Sequence, residues 1–214
     1  MELYTAIGRK TMDRFGRFSV EVDGDTYILM GMEPFLWTAL TWTFVEKDDI
    51  FSRMMWLLDL TFPGESREKG KPEEFPYCFR RMCKRGLITS VSGENKEELI
   101  QKLLRRCIVQ PSGITLSERR EAFWEGIASG RGIYKSLRAF GGLRLNQEEK
   151  QLSLLLQRSG DIEWHLGELR RTARLAEEGM DGKAYSETLQ NDFLDSVLAL
   201  YQKKLLVINK VKEA

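Results

Sequence analysis

One histidine, three cysteines and five prolines in 214 residues each close off a kind of chemistry. His165, the lone histidine, follows Trp164 in a helical pattern and reads as a surface or half-buried side chain rather than a catalytic base. Zinc would then need all three cysteines and a carboxylate. Cys78 and Cys83 lie five apart on the apolar face of one helical pattern, without the spacing of a ligand pair or a disulfide framework. With Cys107 they are expected to be packing thiols in a reducing, cytoplasmic protein. No apolar run reaches the roughly 18 residues of a membrane span. Met1 to Phe15 is broken by Arg9, Lys10, Asp13 and Arg14, so neither a secretory signal nor a membrane partner is expected. Gly130-Arg131-Gly132 and Gly141-Gly142 lead to no Gly-Lys-Ser/Thr phosphate cradle. The paired acids Asp48-Asp49, Glu73-Glu74, Glu97-Glu98 and Glu148-Glu149 each fall near an expected helix N-terminus, where they complement the dipole. No catalytic residue, metal or cofactor is expected, and the chain does not read as an enzyme.

The net charge of +1 hides an uneven distribution. Residues 1–72 carry −3, residues 73–144 carry +6, and residues 145–214 carry −2. An asymmetric field of this kind suits a polyanionic partner, although lysine and arginine runs also serve as plain solvated faces. The sharpest feature lies within the cationic third. At about 100° per residue, Phe75, Cys78, Phe79, Met82 and Cys83 gather on one helix face and Arg80, Arg81, Lys84 and Arg85 on the other. Gly86 is the residue expected just past the helix C-terminus, and Leu87-Ile88 then begins a strand.

Around that helix the pattern is regular. Phe18 to Met30 alternates about Asp23-Gly24, a strong hairpin signal. Pro34 opens an apolar helix through Phe44, in which Trp37 and Trp42 are core residues. Thr43 and Glu46 have capping-box spacing for a second helix, which Phe62-Pro63-Gly64 ends. Glu94 to Arg106 forms a further helix and Cys107-Ile108-Val109 a returning strand. Ile114 to Ile127 and Arg131 to Phe140 read as two connecting helices. Beyond Asn146 come three helices, the second capped by Ser159, and a strand at Leu205 to Ile208. The last helix is expected to expose Asp192, Asp195, Gln202 and Lys203, and the two carboxylates would repel phosphate.

Hairpin, three helices and a strand, with the basic helix third, resembles the winged helix-turn-helix superfamily over about residues 18–111. The stretch of about residues 146–209 resembles a degenerate second copy. The fold class implied is mainly α with short β-hairpins. Its domains are a winged helix-turn-helix with an N-terminal hairpin (1–111), connecting helices (112–145), and a C-terminal helical or second winged-helix unit (146–214). The resemblance implies a transcriptional regulator binding double-stranded DNA, self-associating as a homodimer on paired half-sites. Arg80, Arg81, Lys84 and Arg85 would touch DNA, extended by Arg105 and Arg106. Arg119, Arg120, Arg131, Lys135 and Arg138 are further candidates. Residues 18–88 also resemble small domains that grip precursor peptides along a strand edge, which implies an adaptor for a protein or peptide partner without DNA binding.

Overall fold

Asp23 and Gly24 adopt left-handed backbone, with φ of 52° and 89°, and turn the chain tightly enough to pair Val22 with Asp25. A two-residue turn of this hand matches the twist of the strands it joins. The computed structural model describes residues 1–63, 70–112, 145–176 and 182–212, except for the side chains of 174–176 and 182–184. The expected connecting helices, with Arg119, Arg120, Arg131, Lys135 and Arg138, fall outside the described residues.

The first half holds β1 (Glu2–Ala6), β2 (Arg9–Met12), β3 (Phe18–Val22), β4 (Asp25–Ile28), α1 (Glu33–Leu40), β5 (Val45–Glu46), α2 (Lys47–Thr61), α3 (Phe75–Lys84) and β6 (Ile88–Ser92). The second holds α4 (Lys96–Arg105), β7 (Cys107–Pro111), α5 (Gln147–Arg158), α6 (Ile162–Ala176), α7 (Gly182–Gln202) and β8 (Leu206–Val211). The described residues thus contain eight strands beside seven helices, and the strands form three small sheets in the orders β5-β1-β6, β2-β3-β4 and β7-β8. This corrects the mainly-α expectation: the architecture is mixed α/β. Two of the strands, β1 and β2, lie in a stretch too short and too mixed to show a helical or alternating period.

Tertiary pairing also overrode two local signals. Val45 and Glu46 pair with Tyr4 and Leu3, so the Thr43–Glu46 segment is extended and α2 begins without a side-chain cap. Asp161, rather than Ser159, caps α6 by accepting from the Trp164 N–H at 3.3 Å. Asn146 and Glu149, by contrast, form a complete capping box on α5. Cys107 to Pro111 does not return to β6; it pairs with β8.

Among the described residues, and apart from the β2-β3-β4 sheet, the two halves share one path from central strand through three helices to a pairing strand. In the first, β1 is central, with Leu3 opposite Glu46 just before α2 and Ala6 opposite Ile88 just after α3. In the second, β7 is central, with Ile108 opposite Asp161 just before α6 and Pro111 opposite Leu206 just after α7. Gly160 sits at the tightest point of the second: its carbonyl accepts from Val109 N–H at 2.8 Å, and a Cβ there would lie 1.7 Å from the Val109 oxygen.

The halves share a core. Leu3, Ile7, Phe44 and Val91 from the first pack with Leu103, Leu104, Leu156, Leu194 and Val197 from the second. Tyr201 on α7 reaches across: its hydroxyl accepts from the Trp42 N–H at 3.0 Å and lies 2.8 Å from Thr5 Oγ1, which lies 3.3 Å from the Leu40 carbonyl. Burial raises the Tyr201 pKa, so this relay is made by a neutral phenol. Gly8 N–H donates to Ile208 O at 2.7 Å, tying the start of β2 to β8.

Candidate functional site

The cationic helix α3 is fixed from behind as its pattern demands. Cys78 and Met82 are buried, and Phe75 meets Phe51 edge-on as Phe79 meets Tyr4. Gly86 closes it with φ 69°, its N–H donating to Cys83 O while Leu87 N–H donates to Met82 O. These two bonds are those of a Schellman stop.

The six candidate nucleic-acid residues do not converge. Arg81 Nε lies 2.7 Å from Glu33 Oε1, and Arg85 Nη1 lies 3.2 Å from the same oxygen. Glu33 is 1% exposed, in the first turn of α1. The hydrogen bond to its carboxylate raises the Arg81 pKa. Arg85 also donates through Nη2 to Ile28 O at 3.0 Å and stacks on the Tyr27 ring. Arg105 faces Gln190 and Asn191 on α7, at 3.3 and 3.4 Å. Arg106 donates twice to the Lys212 carbonyl. Arg80 and Lys84 are exposed, and Arg80 turns its Nε back to Pro76 O. Four of the six are therefore held by acceptors outside their own helix, and on α3 Arg81 and Arg85 form a structural joint while Arg80 and Lys84 stay exposed.

That joint lies along a strand edge. In an antiparallel ladder, alternate residues turn both backbone groups outward. Leu29 N–H bonds to Phe18 O, which places Thr26 and Ile28 with their backbone groups toward the open side of β4. Arg85 covers the Ile28 carbonyl, and Glu33 Oε2 accepts from Met30 N–H at 3.0 Å. The Arg85–Glu33 pair thus occupies the far end of the edge as a short strand would, and Thr26 stays open. Beside it stand Met30 and Tyr77, 64% and 62% exposed, with Arg81 over the Tyr77 ring.

Sequence reading did not find Glu33. Its signal, an acid in a first helical turn, is indistinguishable from dipole complementation; its partners are far away in the chain. Other assignments are redrawn as well. His165 is 5% exposed, enclosed by Trp164 and Phe193, with Nε2 2.7 Å from Ser159 O, so it is buried rather than half-exposed. Trp37 is core, donating to Ile7 O, whereas Trp42 is partly exposed at the junction of the halves, and Trp56 and Trp164 are more than half exposed. Cys78 and Cys107 are buried free thiols; burial pushes the Cys107 pKa up to about 12. Among the described residues no cluster of three His, Cys, Asp or Glu is placed to hold a metal, and no helix is long and apolar enough to cross a membrane. No protein-family model, curated protein or solved structure matches the chain.

Proposed function

We propose that the protein is a binding adaptor that takes an extended segment of a protein or peptide partner along β4, beside α3. The observation that carries this reading is the commitment of Arg81 and Arg85 to the buried Glu33. It removes two of the four cations from the exposed face of the helix and sets Arg85 instead across the end of an open strand edge. An added strand gains main-chain hydrogen bonds at Thr26, and exposed Met30 and Tyr77 offer contact for its side chains. The charged clamp at Ile28 and Met30 stops pairing from running on, as edge strands are commonly blunted.

The DNA-binding reading retains Arg80 and Lys84 among the six assigned residues. Two phosphate contacts correspond to a salt slope of only about −2, against about −5 for six. A peptide-display selection against the protein, followed by backbone-amide mapping, tests the proposal. Selected peptides are expected to protect the Thr26 amide and to lose binding in Thr26→Pro, which an edge strand tolerates without unfolding. Selected peptides that protect other amides would overturn it. So would duplex DNA binding with a steep salt slope that collapses in Arg80→Ala/Lys84→Ala.

A further inference from the structure

Three described residues other than glycine adopt left-handed backbone, and two of them, Trp42 (φ 59°) and Lys204 (φ 62°), meet at one place. The third, Asp23, belongs to the hairpin turn. A bulky side chain in this conformation is uncommon and persists only where its surroundings hold it; such positions gather at binding sites. Trp42 is held three ways. Its backbone N–H donates to the Tyr201 hydroxyl, its Nε1 donates to Leu206 O at 2.8 Å, and the Lys204 ammonium lies 5.4 Å from the centre of its ring.

This frame forms one wall of an open cavity of about 660 Å³ between α1, α2 and the turn from α7 to β8. Trp56 forms another wall and is 59% exposed; Ala39 and Leu57 supply apolar lining. The cations at its border are Arg53 and Lys204, and none of the described lining residues is Asp or Glu. Elsewhere some cations are ion-paired, Arg81, Arg85, Lys203, Lys210 and Lys212 among them, and others, such as Arg80 and Lys84, are exposed. Arg53 and Lys204 are in no ion pair among the described residues. Two unneutralised cations beside two indole rings match an anion with a flat apolar body: the rings stack on its face, and the guanidinium grips its oxygens in pairs.

We infer that this cavity is a binding site for a small planar aromatic carboxylate, held by Trp42, Trp56, Arg53 and Lys204. The site shares no residue with the β4–α3 face, so it stands or falls independently of the adaptor reading. The experiment is a titration of the ¹⁵N-labelled full chain with indole-3-acetate, with indole-3-acetamide and acetate as matched probes. The indole N–H resonances of Trp42 and Trp56 should shift saturably, those of Trp37 and Trp164 should not, and the carboxylate should bind at least about tenfold tighter than the amide. Arg53→Gln with Lys204→Gln should abolish that preference while the buried Trp37 signal stays in place and reports an intact fold. Absence of a saturable shift into the millimolar range, equal binding of the amide, or equal binding of acetate would each overturn the inference.

Discussion

Gly86 closes α3 at φ 69° and Lys204 closes α7 at φ 62°, each with the same two hydrogen bonds back into the last helical turn. Both helices then feed a strand that pairs with the central strand of its half. Their surfaces differ. The first presents Tyr77, Arg80 and Lys84, and the second presents Asp192, Asp195 and Gln202. The junction before the second helix of each repeat differs too, with Val45 in a regular pair where Gly160 makes a close backbone approach. One chain path is thus specified twice by unlike residues. Hydrogen bonds and burial set the path, and surface charge is free to diverge.

Exchanging residues between the halves tests how far that equivalence goes. The largest effect is expected at Gly160→Ala, where the new methyl would overlap the Val109 oxygen, so the α5–α6 link must move. We expect a loss above about 3 kcal/mol in denaturant unfolding. Removing a methyl-bearing side chain at the counterpart, Val45→Ala, should cost about 1–2 kcal/mol as lost burial. Equal losses would deny the special geometry of the second junction.

Next is Glu33→Gln, which leaves two guanidiniums facing a neutral amide. Breaking a buried pair costs about 3–5 kcal/mol, and the partial exposure of both arginines lowers the expectation to about 2–3 kcal/mol. The same variant frees Arg81 and Arg85, so its affinity for duplex DNA should rise at low salt. An unchanged melting temperature would show that the joint contributes little to stability.

A smaller, opposed pair of changes concerns the helix stops. Gly86→Ala has open space for its methyl, so its cost is conformational, about 1 kcal/mol. Lys204→Gly relieves the same backbone conformation and should stabilise by up to about 1 kcal/mol, less the added freedom of the unfolded chain. Destabilisation by both would mean that the Lys204 side chain stabilises the junction.

The smallest difference should appear in acid. Burial alone would raise the Asp161 pKa, but its bonds to Lys212 and to Trp164 N–H outweigh that and hold it below the ordinary value. Glu149 is lowered by Lys203 and by Asn146 N–H. A carboxylate lowered in the folded state adds stability that is complete above the unfolded pKa, near 4, and is lost as pH falls through the folded value. Asp161→Asn should therefore narrow its stability gap to the parent as pH drops from neutrality towards 3. A gap that stays constant with pH would exclude a titrating role for Asp161.

The features legible in the sequence were those written locally. Asp23-Gly24 encoded its hairpin, the alternation of Phe75 to Arg85 its helix, Gly86 the stop, and Asn146 with Glu149 a real cap. What was illegible depended on distant partners. Nothing near Glu33 announces two arginines on another helix, and nothing near Val45 announces β1. The basic face of α3 was legible as a face, but not that Arg81 and Arg85 on it are paired while Arg80 and Lys84 stay exposed, because periodicity reports which way a side chain points and not what waits there. Trp42 looked like core for the same reason: its apolar neighbours imply burial, whereas its backbone angle and its bond to Leu206 place it at a cavity rim.

β8 supplies the oxygen for Gly8 N–H and the oxygen for the Trp42 indole, and Asn209 on the same strand caps Asp23 N–H. During synthesis all three donors leave the ribosome long before their acceptors are made. The nascent first half must therefore wait, with these groups on water, for the strand that braces it. Its bracing is complete only once Leu206 to Asn209 have emerged.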